Sequence, residues 1–178
     1  MNQKEYEKRL KWQKNWQKKQ RQSQIKYSKK KKMSKKKKTR KYKKKSPRQK
    51  LVEKIDELWS LKVRDVCKCE LCDKGGGIKS FDAHHMKGRG RMTTRWYIPN
   101  GVCLHKGCHK WKVHTDTLVA GILLDKLKKK RGKDWWDKLV KRAERQTKLY
   151  IQDLRDIKAL AEQDKWNEID KIIEKNYI

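Results

Sequence analysis

The chain lacks any long apolar run. The longest such run, from Leu118 to Leu124, is far shorter than the roughly 20 residues that a membrane-spanning helix needs. The first residues also lack the apolar core of a signal peptide, because Lys, Gln and Trp predominate there. These absences predict a protein of a reducing compartment such as the cytoplasm, with no membrane partner.

Acidic residues are scarce as well. Of the 178 residues, 53 are Lys or Arg and 21 are Asp or Glu, which gives a formal net charge of +32. Residues 1–50 alone hold 24 basic residues and two acids. Such a charge favours polyanionic partners, nucleic acid above all and an anionic membrane surface as the competitor. Residues 1–45 are predicted to be a disordered Lys-rich nucleic-acid-binding arm, because they have too few apolar residues to bury a core and their lysine runs repel one another. A helix near Tyr6–Trp16 is the alternative for the bound arm.

Cysteine occurs an odd number of times, five, which argues against a framework of disulfides. Two cysteine pairs have the spacing of metal ligands, namely Cys69 with Cys72 and Cys103 with Cys108. Four thiolates arranged in a tetrahedron suit Zn²⁺ and leave no open position, so we expect a structural zinc site. Cys67 is interpreted as the spare thiol, and His105 is an alternative ligand.

The sequence around the cysteines is predicted to be helical. Ser46 followed by Pro47 is a helix-start signal, because Ser suits the N-cap and Pro the first helical position. Apolar residues at helical spacing extend this helix to about Arg64. Helical spacing also runs through residues 116–178, where we expect one long helix from Trp135 to Leu160. This helical extension would cover the small module and is a candidate surface for a homodimer or a helical partner.

A histidine pair stands out in the stretch FDAHHMKGRGRMTTRWYIPNGVCLHKGCHKW, where His84 and His85 precede Asn100 and His109. Adjacent residues of a strand point to opposite faces of the sheet, so the two histidines need different roles. A neutral imidazole can take a proton from water near neutral pH. Another imidazole can bind a divalent ion that neutralises a scissile phosphate. One histidine on the metal and the other on the water would satisfy both requirements.

These residues resemble the HNH endonuclease motif, which belongs to the ββα-metal fold. The flanking segments KLVEKIDELWSLKVR and WWDKLVKRA resemble those of the phage NinG-like recombination proteins, over about residues 46–160. The resemblance implies an α+β fold whose small zinc-stapled ββα-metal HNH module, residues 46–115, is flanked by helices. The disordered arm of residues 1–45 would precede it and the helical extension of residues 116–178 would follow. A phage-encoded protein would act in the host cytoplasm.

The resemblance also implies a role for each residue of the motif. His85 takes the general-base position, and Asn100 takes the position that orients the base or the metal geometry. His84 and His109 take metal-ligand positions. His114 is a candidate further ligand, although its five-residue spacing from His109 departs from the usual three or four. The catalytic ion is expected to be Mg²⁺ or Mn²⁺, with Zn²⁺ and Ni²⁺ as alternatives.

The implied function is metal-dependent hydrolysis of phosphodiester bonds in duplex DNA or in branched recombination intermediates. Basic residues of the intervening loop are expected to contact DNA phosphates: Lys87, Arg89, Arg91 and Arg95. Asp82 is a candidate partner for a ligand histidine, with a plain surface acid as the alternative. The competing function is a non-enzymatic, zinc-dependent nucleic-acid-binding protein of phage recombination or packaging.

Overall fold

The structure is a computed structural model that describes residues 3–35 and 44–178. Its helices and strands are α1 (Gln3–Lys35), α2 (Pro47–Arg64), β1 (Phe81–His85), α3 (Met92–Arg95), β2 (Gly101–His105), α4 (Lys106–Cys108), α5 (Thr117–Arg131), α6 (Lys133–Glu144), α7 (Ile151–Glu162) and α8 (Trp166–Lys175). Single 3₁₀ turns cover Ile78–Ser80 and Ile98–Asn100, and a π-helical turn covers His109–Val113. The predicted α+β class is confirmed, in a mostly helical form with a two-stranded sheet. The chain divides into two compact units, Met1–Lys44 and Lys45–Ile178.

Helix α1 corrects the prediction that the basic arm is disordered. The helix has 33 residues, none of them Gly or Pro, and it is rich in Lys, Gln and Arg, which are strong helix formers. Its described side chains are exposed, including those of Trp12 and Trp16. Local helix propensity therefore accounts for α1. The prediction of disorder gave this propensity too little weight against the scarcity of apolar residues and the repulsion between lysines. Residues 1–2 and 36–43 of the predicted arm lie outside the described residues.

Helix α2 begins as predicted at Ser46 and Pro47. The Ser46 Oγ accepts a hydrogen bond from the Gln49 backbone N at 3.2 Å, and the Gln49 side chain accepts one from the Ser46 backbone N at 2.9 Å. This reciprocal capping box satisfies two backbone donors that a helix start leaves free. The buried face of the helix consists of Ile55, Trp59 and Val63. That face packs on both strands of the hairpin.

Strands β1 and β2 form an antiparallel hairpin in which His85 pairs with Gly101. Helix α2 crosses so close to Gly101 that a Cβ atom there would overlap Val63 and lie 2.9 Å from Trp59. Glycine at this position therefore allows Trp59 to reach the cross-strand neighbour, His85. The two rings stack with 3.9 Å between their centroids and 16° between their planes. A side chain at residue 101 would push α2 away from His85.

The C-terminal helices pack around the hairpin unit. Helix α7 contacts α2, α6 contacts α3, and α5 contacts the π-helical turn. The predicted boundary between residues 115 and 116 therefore falls inside the compact unit Lys45–Ile178. Among the described residues, no helix combines the length and apolar character that crossing a bilayer requires.

The prediction of one long helix from Trp135 to Leu160 is wrong, because α6 and α7 are separate helices. The chain between them is tied to the C-terminal end of the chain. Thr147 forms an isolated antiparallel bridge with Tyr177, and the Lys148 backbone N donates to the Asn176 carbonyl at 3.3 Å. These tertiary contacts replace helical hydrogen bonds, and apolar spacing along the sequence gives no sign of them.

Candidate functional site

A cleft of about 570 Å³ is lined by residues of α2, of β1, of the loop that follows β1 and of the π-helical turn. Four of the five histidines of the chain line it: His84, His85, His109 and His114. The fold thus brings together the histidines that the sequence analysis singled out. Asn100 lies outside the lining, fully buried at the start of β2.

Three of these histidines form a group that we call the histidine trio: His84, His109 and His114. One ring nitrogen of each lies within 4.8 Å of the others, and the Nε2 atoms of His109 and His114 are 3.0 Å apart. Imidazoles that bind one ion at about 2.0–2.1 Å in a tetrahedron hold their nitrogens roughly 3.3 Å apart, so this spacing fits a shared metal. Burial, with the nearby charges of His109 and His114, lowers the pKa of His84 to about 4. The His84 lone pair is therefore free at neutral pH.

The π-helical turn explains how His114 reaches the trio. In an α-helix, the residue that lies above His109 would be three or four positions later. Here the His114 backbone N donates to the His109 carbonyl, five residues back, at 3.4 Å. The widened turn aligns His114 with His109, while Val113 is buried in the core. The five-residue spacing that departs from the usual pattern is thus the spacing that this turn requires.

Asp82 makes the contact predicted for a partner of a ligand histidine. Its Oδ2 lies 3.1 Å from the Nδ1 of His109. When the Nδ1 carries the proton that it donates to this carboxylate, the Nε2 of His109 keeps its lone pair for the trio. Asp82 and His84 lie two residues apart on β1 and so share one face of the hairpin.

Replacing Asp82 by alanine is expected to weaken metal binding at the trio by about 10- to 100-fold. The reason is that His109 would lose the acceptor that fixes its tautomer and its ring orientation. Competition with a chromophoric chelator measures this affinity on protein whose cysteine site already holds zinc. Asp156→Ala, which removes an exposed acid of α7, is the matched control. Equal affinities in the two variants would show that Asp82 does not orient a ligand.

The ligand chemistry of the trio suits a transition metal. Imidazole nitrogen binds Zn²⁺ and Ni²⁺ well, whereas Mg²⁺ and Mn²⁺ prefer oxygen ligands. Among the described residues, the ligand group formed by the trio contains three imidazoles and no carboxylate. Zn²⁺ and Ni²⁺ therefore fit it better than the Mg²⁺ or Mn²⁺ expected from the resemblance. Three protein ligands also leave a position open, as in zinc sites that bind water or substrate.

His85 has surroundings unlike those of the trio. Its Nε2 lies 2.9 Å from the backbone carbonyl oxygen of Arg95. A carbonyl only accepts hydrogen bonds, so the Nε2 carries the proton and the Nδ1 keeps its lone pair. Burial lowers the pKa of His85, and the positive charge of Arg89 adds to this effect, although the Arg95 carbonyl opposes it. The ring is therefore neutral near pH 7 and able to accept a proton.

Asn100 holds the loop that carries the Arg95 carbonyl. Its Nδ2 donates to the carbonyls of Thr94 at 2.8 Å and Lys87 at 3.0 Å, and its Oδ1 accepts from the Lys87 backbone N at 2.7 Å. All three hydrogen bonds go to loop backbone. Asn100 thus holds the backbone of Lys87 close to that of Thr94. Its amide can orient His85 only indirectly, through the position of the Arg95 carbonyl.

Of the four predicted phosphate-binding residues, Arg89 and Arg91 are exposed, whereas Lys87 and Arg95 are half-buried. The side chain of Arg89 is 66% exposed and lines the cleft beside His85. The Nζ of Lys87 lies 4.5 Å above the ring of Trp136, where a lysine keeps its charge. Arg89 is thus the best placed of the four to meet a phosphate at the histidines.

Arg95 and Arg91 both make contacts within the protein, and their phosphate contacts stay predictions. Arg95 forms a bidentate pair with Asp56, with distances of 2.9 and 2.7 Å. The physical reason is that α2 presents a half-buried carboxylate that matches the planar guanidinium. One guanidinium nitrogen of Arg91 donates to the Ala143 carbonyl at 2.7 Å.

Four cleft residues of α2 were missed by the sequence analysis: Asp56, Trp59, Ser60 and Arg64. Trp59 had the spacing of an ordinary core residue, which it also is. The two charged residues lie in a helix well before the histidine motif, and no local pattern joins them to it. Arg64 adds a second guanidinium to the cleft.

The second candidate metal site consists of Cys69, Cys72 and Cys108, whose sulfur atoms all lie within 4.8 Å of one another. Cys103, predicted as the fourth ligand, falls outside this group. It is held in the β2 ladder, and its carbonyl accepts from the Glu70 backbone N at 2.9 Å. Three thiolates can hold a zinc ion together with one further ligand.

The alternative ligands lie outside the cysteine group too. His105 is exposed, and its Nδ1 accepts from the Gly107 backbone N at 3.4 Å, which caps α4. Cys67 is half-buried and also outside the group. Burial and the adjacent thiols raise the pKa of Cys108 to about 11, so a bound metal must displace its proton.

No protein-family model matches the chain, and comparisons with curated proteins and with solved structures found no match. The interpretation of the site therefore depends on its own residues. The cleft offers one neutral imidazole with a free nitrogen, three imidazoles that can share a metal ion, and two arginines.

Proposed function

We propose that the protein is a metal-dependent endonuclease that hydrolyses DNA phosphodiester bonds. The observation that carries this proposal is that one cleft holds both a three-imidazole ligand group and a separate, neutral histidine. A purely structural metal site would not require His85, which lies in the same cleft but outside the ligand group. The net charge of +32 supports a polyanionic substrate.

His85 is the proposed general base. Its Nδ1 accepts the proton of a water molecule as that water attacks the phosphorus. The Arg95 carbonyl, 2.9 Å from the Nε2, then stabilises the imidazolium that forms. The stacked ring of Trp59 restricts the tilt of the imidazole. The chain thus holds the base in one orientation before the substrate arrives.

The trio is the proposed ligand set of a divalent ion. Such an ion, when bound, neutralises the phosphate and stabilises the leaving 3′ oxygen. His84 offers a lone pair because its pKa is low, and His109 because Asp82 holds its other nitrogen. Arg89 and Arg64, which also line the cleft, are proposed to hold phosphates on either side of the scissile bond.

The finer proposal is that Lys45–Ile178 contains an HNH-type ββα-metal module. Two antiparallel strands followed by a helical turn that carries His109 and His114 support this class. The NinG-like assignment rests on the sequence resemblance alone. It would make branched recombination intermediates the substrate.

Cleavage of a supercoiled plasmid and of a synthetic four-way junction tests the proposal. Each DNA is incubated with the protein and Zn²⁺, Ni²⁺, Mn²⁺, Mg²⁺ or EDTA. We expect metal-dependent products with 5′-phosphate and 3′-hydroxyl ends, and faster cutting of the junction if branched DNA is the substrate. Tight DNA binding without cleavage in any metal would contradict the proposal and favour the zinc-dependent binding protein.

Deleting residues 1–45 is expected to weaken DNA binding and to flatten its dependence on salt. This segment holds 22 Lys and Arg residues, and each phosphate that they neutralise adds about 0.9 to the salt slope. Fluorescence anisotropy at several salt concentrations measures the slope. Substituting Trp12 and Trp16 by alanine in the full chain is the control that keeps the charge. An unchanged slope after the deletion would show that the segment makes no phosphate contacts.

A further inference from the structure

Asp56 is a cleft residue whose side chain is only 17% exposed. Its carboxylate accepts hydrogen bonds from the Nε and Nη2 of Arg95 at 2.9 and 2.7 Å, and from the Nε1 of Trp96 at 2.8 Å. Burial opposes ionisation, yet these hydrogen bonds hold the pKa of Asp56 below its ordinary value. Asp56 is therefore an anion at neutral pH, and the Nη1 of Arg89 adds a longer ion pair to it at 4.0 Å.

Arg95 links Asp56 to the backbone of the segment 89–95. Its Nη1 donates to the Arg89 carbonyl at 3.0 Å, so one guanidinium ties α2 to both ends of the segment 89–95. The carbonyl of Arg95 is also the acceptor that faces the Nε2 of His85. Asn100 holds the backbone of the neighbouring Thr94 and of Lys87, whereas the guanidinium anchors Arg95 itself. We therefore expect the Arg95 carbonyl to loosen when the guanidinium is released.

His85 is thus held from two sides by one face of α2. Asp56 and Trp59 are three residues apart and so are neighbours on the helix surface. The stacking of Trp59 fixes the plane of the imidazole but does not distinguish its two nitrogens. Among the described residues, the Arg95 carbonyl alone makes that distinction, because it requires a proton on the nitrogen that faces it.

We infer that Asp56 is a positioning residue for the proposed reaction: its ion pair with Arg95 holds the carbonyl that keeps the proton of His85 on Nε2 and leaves Nδ1 free as the base. This inference rests on the proposed function of His85. Asp56 acts through Arg95, and it belongs to neither metal-ligand group.

Asp56→Asn tests the inference, because asparagine has the same size and can still accept from Trp96 but loses the charge that binds Arg95. Nitrogen-15 NMR of the histidine rings in the zinc-loaded protein at neutral pH reports the tautomer, and the spectrum of His85→Ala identifies the signals of His85. We expect a single Nε2-protonated form in the wild type and a mixture of tautomers in Asp56→Asn. An unchanged Nε2-protonated signature in the variant would overturn the inference.

Glu70→Gln is the matched control. Both carboxylate oxygens of Glu70 accept hydrogen bonds from the Nη2 of Arg131, at 2.9 and 2.8 Å. The Glu70 side chain is also largely buried, but it does not line the cleft. This variant should lose comparable stability and keep the wild-type tautomer of His85. The same tautomer mixture in Glu70→Gln would overturn the inference by showing that general loosening suffices.

Arg95→Met is a second test, which keeps the carbonyl but removes the guanidinium, and it should reproduce the mixture seen in Asp56→Asn. Cleavage provides a further readout, with a single-turnover rate at saturating DNA roughly 10- to 100-fold lower in both variants. A wild-type cleavage rate in both folded variants would overturn the inference. The NMR measurement does not depend on cleavage. A protein that cuts no DNA would therefore contradict the proposed function, while the NMR spectra would still test whether Asp56 positions His85.

Discussion

Replacing His85 by alanine is expected to lower the single-turnover rate of DNA cleavage by about 10²- to 10⁴-fold, the usual contribution of a general base. The substitution removes the one nitrogen in the cleft that is proposed to take the proton of water. The trio and Arg89 remain, so metal content and DNA affinity should stay close to those of the wild type. Rates are measured on supercoiled plasmid with protein in excess.

His105→Ala is the matched control for this result, because His105 is exposed and lies outside the cleft. It should cleave at nearly the wild-type rate. Cleavage by His85→Ala at the same rate would contradict the general-base assignment. A parallel loss of metal or of DNA binding in His85→Ala would instead give His85 a structural role.

Removing a metal ion from the cysteine group is expected to unfold the unit Lys45–Ile178. Structural zinc sites have apparent binding free energies of about 10–16 kcal/mol near pH 7, and a whole domain is stable by only about 5–15 kcal/mol. Both Cys108→Ser and chelation should therefore abolish the cooperative thermal transition or lower its Tm drastically. Circular dichroism during heating, with and without a chelator, measures this effect.

Cys67→Ser is the control for the cysteine group. Cys67 is a half-buried thiol outside the three-sulfur group, so its replacement should leave the Tm and the zinc content nearly unchanged. Equal Tm values for Cys67→Ser and Cys108→Ser in metal-loaded protein would contradict a structural metal at these cysteines.

The sequence was informative where a local pattern has one structural solution. Ser46 and Pro47 predicted the start of α2, because an N-cap hydroxyl and a proline both suit a first helical turn. The pair His84 and His85 predicted two different roles, because adjacent residues of a strand face opposite sides. In the hairpin, the His84 ring belongs to the trio and the His85 ring stacks on Trp59.

The sequence was uninformative where tertiary contacts choose among local solutions. The π-helical turn that aligns His114 with His109 has no pattern in HKWKVH, so the spacing looked anomalous. Cys103 had the spacing of a ligand, but it lies in the β2 ladder and falls outside the group of three mutually close sulfurs. The role of Asp56 depends on a loop about 40 residues later in the chain, which no periodicity reveals.

Metal-dependent hydrolysis at the trio is tested by a titration of cleavage against added metal. The trio is first emptied by mild chelation that leaves the cysteine-bound ion in place, and Zn²⁺ or Ni²⁺ is then returned in steps while plasmid nicking is measured. We expect no nicking before metal is added, and nicking that saturates at one equivalent of added metal per protein. His109→Ala should show no such saturation. Nicking that persists in the emptied protein, or that never appears although the protein binds DNA, would contradict metal-dependent hydrolysis at the trio.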